Sequence, residues 1–94
     1  MTVARINEFR AITGRGDELH TLLTGFTDAI RETPGCVSVQ ALRSLHDPDF
    51  TVIFEVWESV SAHEAAAQAI PADDVQAAVA LLVSPPKGEY FTVT

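Results

Sequence analysis

The chain has 94 residues, enough for one hydrophobic core, and we predict a single domain over residues 1–94. Its net charge is −7, so an acidic surface would repel the backbone of a nucleic acid. No apolar run is long enough to cross a bilayer, and the N-terminal segment lacks the pattern of a signal peptide. Together with a single cysteine, Cys36, which has no partner for an internal disulfide, these features predict a cytoplasmic protein that binds neither nucleic acid nor membrane.

The first half of the chain predicts a strand, a helix and a second strand. Residues Thr2 to Ile12 are rich in β-branched and aromatic types, although neither face of this strand is clearly apolar. A turn at Gly14 to Gly16 follows, and apolar residues then recur at spacings of three and four up to Ile30, as in an amphipathic helix. Thr33, Pro34 and Gly35 end this helix, and Cys36 to Leu45 forms the second strand.

The stretch Phe50 to Trp57, with the sequence FTVIFEVW, predicts the strand around which the domain is organised. The two faces of this strand are both largely apolar: one carries Val52, Phe54 and Val56, and the other carries Ile53, Glu55 and Trp57. A turn at residues 46–49 joins it to the second strand as an antiparallel hairpin. Because both faces are apolar, we expect both to be covered.

A helical region and a final strand complete the chain. Either Ser59 or Ser61 is expected to cap the helix that begins there, and Ser61 and Glu64 have the spacing of a capping box. Pro71 ends this helix or begins a new helical piece. The apolar stripe is then expected to continue through Val75, Val79, Leu82 and Val83. The last strand is predicted over residues 88–94.

This β-α-β-β-α-β order predicts a ferredoxin-like α+β fold, with a four-stranded antiparallel sheet and the helices on one of its faces. The opposite face would be bare, and we expect it to expose Trp57 and Ile53. Bare apolar surface of this kind is typical of a partner interface. We therefore predict a homodimer that forms through the sheet face, with a cavity between sheet and helices in each subunit.

Three segments, RETPGCVSVQALRS, DPDFTVIFEVWES and SPPKGEYFTV, resemble the antibiotic biosynthesis monooxygenase (ABM) domain family in their order and spacing. The resemblance covers nearly the whole chain and implies a dimeric α+β barrel. Many members are oxygenases that use no cofactor and act with dioxygen on quinols or on anthrone-type aromatic polyketides. Some relatives degrade haem, and many others have no established activity.

The family's catalytic pattern is matched in part. Anthrone-oxidising members have a tryptophan at the end of the third strand, where this chain has Trp57, and a tyrosine six residues later, where it has His63. They have an asparagine four residues before the tryptophan, and Ile53 stands there. They also use a downstream arginine, but none follows Arg43, and the histidine of the quinol-type branch is replaced by Ala66.

The resemblance implies a cofactor-independent monooxygenase that oxygenates an aromatic polyketide, anthrone or quinol. In this hypothesis Trp57 stacks on the substrate, His63 is the base or hydrogen-bond donor, and Asn7 of the first strand orients a carbonyl group or oxygen. A neutral imidazole suits this chemistry, since an electron-rich phenol or enol must lose a proton before it passes an electron to dioxygen. The expected substrate-binding residues are Ile53, Glu55 and Tyr90.

Structural interpretations of the same residues remain open at this point. Trp57 could fill the core or the dimer interface, and His63 could be a solvated residue of the first helical turn. Glu55 is expected to pair with Arg43 or Arg10 across the sheet, or to serve as a carboxylate base with a raised pKa. The alternative function is a non-catalytic dimeric domain that binds a small molecule or acts as a scaffold. The scattered histidines predict no metal site.

Overall fold

The computed structural model describes residues 1–94 and has the ferredoxin-like α+β fold predicted from the order of the elements. The strands are β1 (Val3–Arg10), β2 (Cys36–Arg43), β3 (Phe50–Trp57) and β4 (Lys87–Thr92). The helices are α1 (Gly16–Arg31), α2 (Val60–Ala66) and α3 (Ala72–Val79), and a 3-10 turn at Ala67–Ala69 follows α2. All strand pairs are antiparallel, in the order β2-β3-β1-β4. None of the helices is long and apolar enough to span a membrane.

The turn between β2 and β3 holds the start of α1 in place. The carboxylate of Asp49 accepts hydrogen bonds from the backbone N–H of Gly16 at 3.0 Å and of Gly14 at 3.2 Å. A side chain at Gly16 would collide with the backbone carbonyl of Pro48, so this close approach requires glycine. Asp47 accepts a hydrogen bond from the backbone N–H of Asp49 at 2.9 Å, as expected for a turn of this composition.

The two faces of β3 are used in the opposite way to the one predicted. Thr51, Ile53, Glu55 and Trp57 point towards the helices and are each at most 3% exposed. The prediction that the bare face exposes Trp57 and Ile53 is therefore wrong. That face carries instead the alternate residues of β3, Val52, Phe54 and Val56, which are half-buried. Because both rows are apolar, the pattern alone could not assign them, and the packing of α1 against one side of the sheet decides the matter.

The core lies between the sheet and the helices, and it includes Leu19, Leu23 and Ile30 of α1 together with Val39, Ile53 and Trp57 of the sheet. The predicted stripe of the last helical region is wrong except at Leu82, which packs against the core. Its members Val75, Val79 and Val83 are 41%, 53% and 60% exposed, whereas Ala78 and Leu81 are buried. The helix α3 ends at Val79, so Leu82 and Val83 lie beyond it and cannot continue the face that begins at Val75.

Ser59 caps α2. Its hydroxyl oxygen accepts a hydrogen bond from the backbone N–H of Ala62 at 3.1 Å, and the helix begins at Val60. Ser61 is exposed and lies inside the first turn, so of the two candidates only Ser59 acts as the cap. This start places His63 on the turn of α2 that lies above the end of β3.

Candidate functional site

A cavity of about 410 Å³ lies between the sheet and the helices. This volume is within the range of about 300–1,000 Å³ that is typical of small-molecule sites. Its walls are mostly apolar and include Phe26 and Ile30 of α1, Ile70, and Val75 of α3. Of the site residues predicted from the sequence, those that line the cavity are Asn7, Ile53, Glu55, Trp57 and His63. The sixth predicted residue, Tyr90, is not part of the cavity lining, but its hydroxyl group contacts Nδ1 of His63, which is.

Glu55 is the centre of a buried hydrogen-bond network at the floor of the cavity. Its side chain is 3% exposed. One carboxylate oxygen, Oε1, accepts from Nε1 of Trp57 at 2.8 Å, and the other, Oε2, accepts from Nδ2 of Asn7 at 2.8 Å. The predicted ion pair of Glu55 with Arg43 or Arg10 is wrong. Both arginines lie at the far end of their strands, where they bind the turn between β2 and β3.

Burial raises the pKa of Glu55 above its ordinary value, against the opposing effects of the hydrogen bond from Trp57, the charge of Arg5 and the hydrogen bond from Asn7. Since each carboxylate oxygen already has a donor, the group is fixed in one orientation. Glu55 in turn orients the ring of Trp57 and the amide of Asn7. The geometry therefore gives Glu55 a positioning role towards two residues that line the cavity.

His63 is held between two aromatic rings. Its Nδ1 lies 2.5 Å from the hydroxyl oxygen of Tyr90, and its Nε2 lies 3.7 Å from Oε1 of Glu55. The centroid of its ring is 5.4 Å from that of Trp57 and 5.3 Å from that of Tyr90, both in edge-to-face arrangements. A tyrosine hydroxyl can donate or accept, so it can hold either neutral tautomer of the imidazole.

The environment of His63 favours its neutral form. Burial lowers the pKa of His63, and the charge of Arg5 lowers it further, while Glu64 acts in the opposite direction. The side chain is 22% exposed, so it is not the solvated first-turn residue of the structural interpretation. A neutral imidazole at the edge of an apolar cavity can accept a proton from a bound phenol or enol.

Arg5 is a cavity residue that is absent from the residues predicted from the sequence. In the register of the sheet it lies beside Glu55 of β3 and beside Tyr90 of β4. Its guanidinium carbon is 4.4 Å from the centroid of the Tyr90 ring, which is a cation–π arrangement. Its position two residues before Asn7 could have identified it from the sequence, because this spacing places both side chains on the same face of β1.

The polar groups of the site are thus a cation at Arg5, a buried carboxyl at Glu55, a neutral imidazole at His63 and an amide at Asn7. No group of three or more His, Cys, Asp or Glu side chains comes close enough to hold a metal ion. With a phenol or enol in the cavity, the set can accept a proton and can hydrogen-bond or pair with developing negative charge.

The fold is shared with several solved structures. Rv0793 from Mycobacterium tuberculosis is 22% identical, with a TM-score of 0.86 over 100% of this chain and 96% of that one. SnoaB, a cofactor-independent oxygenase from Streptomyces nogalater, is 24% identical, with a TM-score of 0.82 over 99% of this chain and 93% of that one. PA3566 from Pseudomonas aeruginosa is 19% identical, with a TM-score of 0.84 over 99% and 94% of the two chains. At these identities the likeness establishes a common fold.

Comparison with curated protein sequences gives no match. The family model described as antibiotic biosynthesis monooxygenase matches residues 2–81, which include β1, β2, β3 and all three helices. This match agrees with the sequence motifs and with the structural neighbours. The chain belongs to the antibiotic biosynthesis monooxygenase family.

Proposed function

We propose that this protein is a small cofactor-independent monooxygenase that oxygenates an aromatic polyketide, anthrone or quinol in the cavity between sheet and helices. The observation that carries the proposal is His63, a partly buried imidazole with a lowered pKa, held by Tyr90 at the edge of an apolar cavity. Membership of the family and the likeness in fold to an oxygenase that needs no cofactor support it.

In the proposed reaction, His63 removes a proton from the substrate, and the resulting anion passes an electron to dioxygen. For an anthrone, the ring CH₂ group becomes a carbonyl group: one atom of dioxygen enters the product and the other leaves as water. Trp57 lines the cavity as a fully buried side chain, so in this proposal its indole ring forms part of the apolar wall beside the substrate. Asn7 keeps one N–H of its amide and its carbonyl oxygen available for a substrate carbonyl or hydroxyl, since Glu55 takes the other N–H.

Oxygen uptake by metal-free protein with anthrone or a quinol tests the proposal. We expect His63→Ala to lower the rate by about 10²–10⁴-fold, as is usual for loss of a general base. The matched control is His46→Ala, which removes an exposed histidine from the turn between β2 and β3 and should leave the rate unchanged. If the wild-type protein consumes oxygen no faster than buffer, the proposed activity is wrong. If His63→Ala is as active as the wild type, the assignment of the base is wrong.

The pH dependence gives a second test of His63. Because its pKa is lowered, the imidazole stays neutral, and therefore able to accept a proton, to a lower pH than an ordinary histidine. We expect kcat/KM to fall on the acid side with an apparent pKa below about 6.5. An apparent pKa above that value would contradict the proposed environment of the base.

A non-catalytic binding domain is the second candidate function. It is favoured by Ile53 and Ala66, which stand where the catalytic branches have an asparagine and a histidine, and by the lack of any arginine after Arg43. This alternative predicts that an aromatic ligand quenches the fluorescence of Trp57, the only tryptophan, while oxygen uptake stays at the level of buffer.

We also propose a homodimer that forms through the bare face of the sheet. That face carries Val52, Phe54 and Val56 from β3, and Phe91 of β4, which is 41% exposed, belongs to the same face. Exposed apolar side chains grouped on one face of a sheet are typical of an interface. In sedimentation at micromolar concentration we expect a dimer, and we expect Phe54→Glu to give a monomer. The control Val79→Glu, on the exposed side of α3, should remain a dimer; a monomeric wild-type protein would contradict the proposal.

A further inference from the structure

We propose that Arg5 is the anion-binding group of the cavity and that the ligand it selects is an aromatic acid, whose carboxylate pairs with the guanidinium while its ring occupies the apolar part. This inference rests on the proposed function, because it names the charge of the substrate for the same site.

Arg5 is the only arginine that pairs with no carboxylate of the protein. The other four each pair with a carboxylate of the protein: Arg10, Arg15, Arg31 and Arg43. Arg5 forms no salt bridge, and its Nε is buried without a hydrogen-bond partner. Buried donors are usually paired, because leaving one unmade costs free energy. A ligand that accepts hydrogen bonds at this point would supply the partner that Nε of Arg5 lacks.

The guanidinium of Arg5 has two neighbouring side chains in the sheet and contacts only the aromatic one. Glu55 and Tyr90 flank Arg5 in the sheet register, yet the guanidinium lies over the ring of Tyr90 and makes no ion pair with Glu55. Both oxygens of Glu55 are occupied by Trp57 and Asn7. Glu55 therefore acts on Arg5 through its charge alone, and the N–H groups of the guanidinium remain available to a ligand.

Gly88 of β4 makes room for this arrangement. A Cβ atom at position 88 would collide with Nη2 of Arg5 and with Oδ1 of Asn7. The glycine lies in the lining of the cavity, so the space it leaves is continuous with the ligand site. The guanidinium thus occupies a place that the neighbouring strand keeps open for it.

The charges of the cavity favour an anion at this point and nowhere else. Arg5 and Glu55 are the only lining residues with a formal charge, and Glu55 directs its oxygens at Trp57 and Asn7. The protein as a whole has a net charge of −7, so an anionic ligand needs a local cation. A guanidinium binds a carboxylate through two parallel N–H groups, a geometry that a neutral ligand does not match.

Binding of a matched pair of ligands tests the inference without any turnover. Anthraquinone-2-carboxylate and anthraquinone-2-carboxamide have the same rings and differ in charge, and both are already oxidised. Quenching of the fluorescence of Trp57 gives their Kd values. We expect the wild-type protein to bind the carboxylate at least about tenfold more tightly than the carboxamide. Arg5→Gln should abolish this preference, and the control Arg15→Gln, at an exposed arginine remote from the cavity, should keep it.

Gly88→Ala provides a second variant in case Arg5→Gln does not fold. By displacing the guanidinium, it should weaken binding of the carboxylate more than binding of the carboxamide. Equal Kd values for the two ligands in the wild-type protein, or a carboxylate preference that survives Arg5→Gln, would overturn the inference. A clear preference for the carboxylate without oxygen uptake would support the role of Arg5 and reject the proposed oxygenase. Oxygen uptake without a preference for the carboxylate would support the proposed oxygenase and reject the role of Arg5.

Discussion

The contribution of the hydrogen bond from Trp57 to Glu55 to the free energy of unfolding can be measured separately from that of the packing of the indole ring. Trp57→Phe removes the donor Nε1, which lies 2.8 Å from Oε1 of Glu55, and also reduces the volume of a fully buried side chain. The hydrogen bond to an ionised carboxylate contributes about 1.5–3 kcal/mol, and a loss of buried volume costs about 0.5–3 kcal/mol. We expect a total loss of about 2–6 kcal/mol in the free energy of unfolding at neutral pH.

The pH dependence distinguishes these two contributions. Burial raises the pKa of Glu55, so the stability linked to its protonated form is fully present below the ordinary glutamate pKa and is lost as the pH rises through the folded-state pKa. The bond from Trp57 opposes this rise, so Trp57→Phe raises the pKa further and deepens the loss at higher pH. A neutral hydrogen bond contributes only about 0.5–1.5 kcal/mol, so the deficit of the variant should grow by about 1–2 kcal/mol from acid to neutral pH.

Urea unfolding of Trp57→Phe and wild type, followed by far-ultraviolet circular dichroism, measures this deficit between about pH 4 and pH 8, which brackets the ordinary glutamate pKa. Leu23→Ala is the control: it removes volume from the same core without touching a polar group, and its cost of about 2–5 kcal/mol should not vary with pH. In a Glu55→Gln background the pH-dependent part of the Trp57→Phe deficit should vanish. A deficit that stays constant within about 0.5 kcal/mol across the range would refute the claim that Trp57 stabilises the ionised carboxyl.

Three further predictions concern the parts that position the site. Gly16→Ala should lower the free energy of unfolding by about 1–3 kcal/mol, because its methyl group meets the Pro48 carbonyl, while Gly25→Ala, in open space on the same helix, should raise it by about 0.5–1 kcal/mol. Ser59→Ala should cost about 1 kcal/mol through loss of the α2 cap. Ser61→Ala is the control for Ser59→Ala. Equal urea midpoints for Gly16→Ala and Gly25→Ala, or for Ser59→Ala and Ser61→Ala, would contradict these assignments. Burial and the charge of Glu55 raise the pKa of the Cys36 thiol, so it should react with a disulfide reagent at pH 8 more slowly than in the urea-unfolded chain; an equal rate would reject this environment.

Local pattern was sufficient for the fold. The strand and helix signals follow one another in an order that has few compact arrangements, and the turn at residues 46–49 forces β2 and β3 into a hairpin. The helix caps were harder to assign, because Ser59 and Ser61 both precede the same apolar run and only the first turn of α2 selects Ser59. The end of α3 at Val79 left Leu82 and Val83 outside the helix, so the predicted helical spacing did not apply to them.

The candidate site was predictable only in part. Asn7, Glu55, Trp57 and His63 were named from strand pattern and from family resemblance, and the structure brings all four to one cavity. Their interactions were not predictable. Glu55 was expected to pair with an arginine across the sheet, but the amide of Asn7 and the indole of Trp57 are closer donors on the same face.

The sequence by itself determined the number and order of the elements, the acidic charge and the residue types available for chemistry, because these depend on composition and on neighbours along the chain. Only the tertiary structure decided which row of Phe50–Trp57 faces the helices, since both rows are apolar and packing chooses between them. The same holds for the pairing of His63 with Tyr90, 27 residues apart, and for the guanidinium of Arg5, whose Nε has no hydrogen-bond partner. Such contacts depend on strand register and on the space left by a neighbouring strand, and no local pattern carries that information.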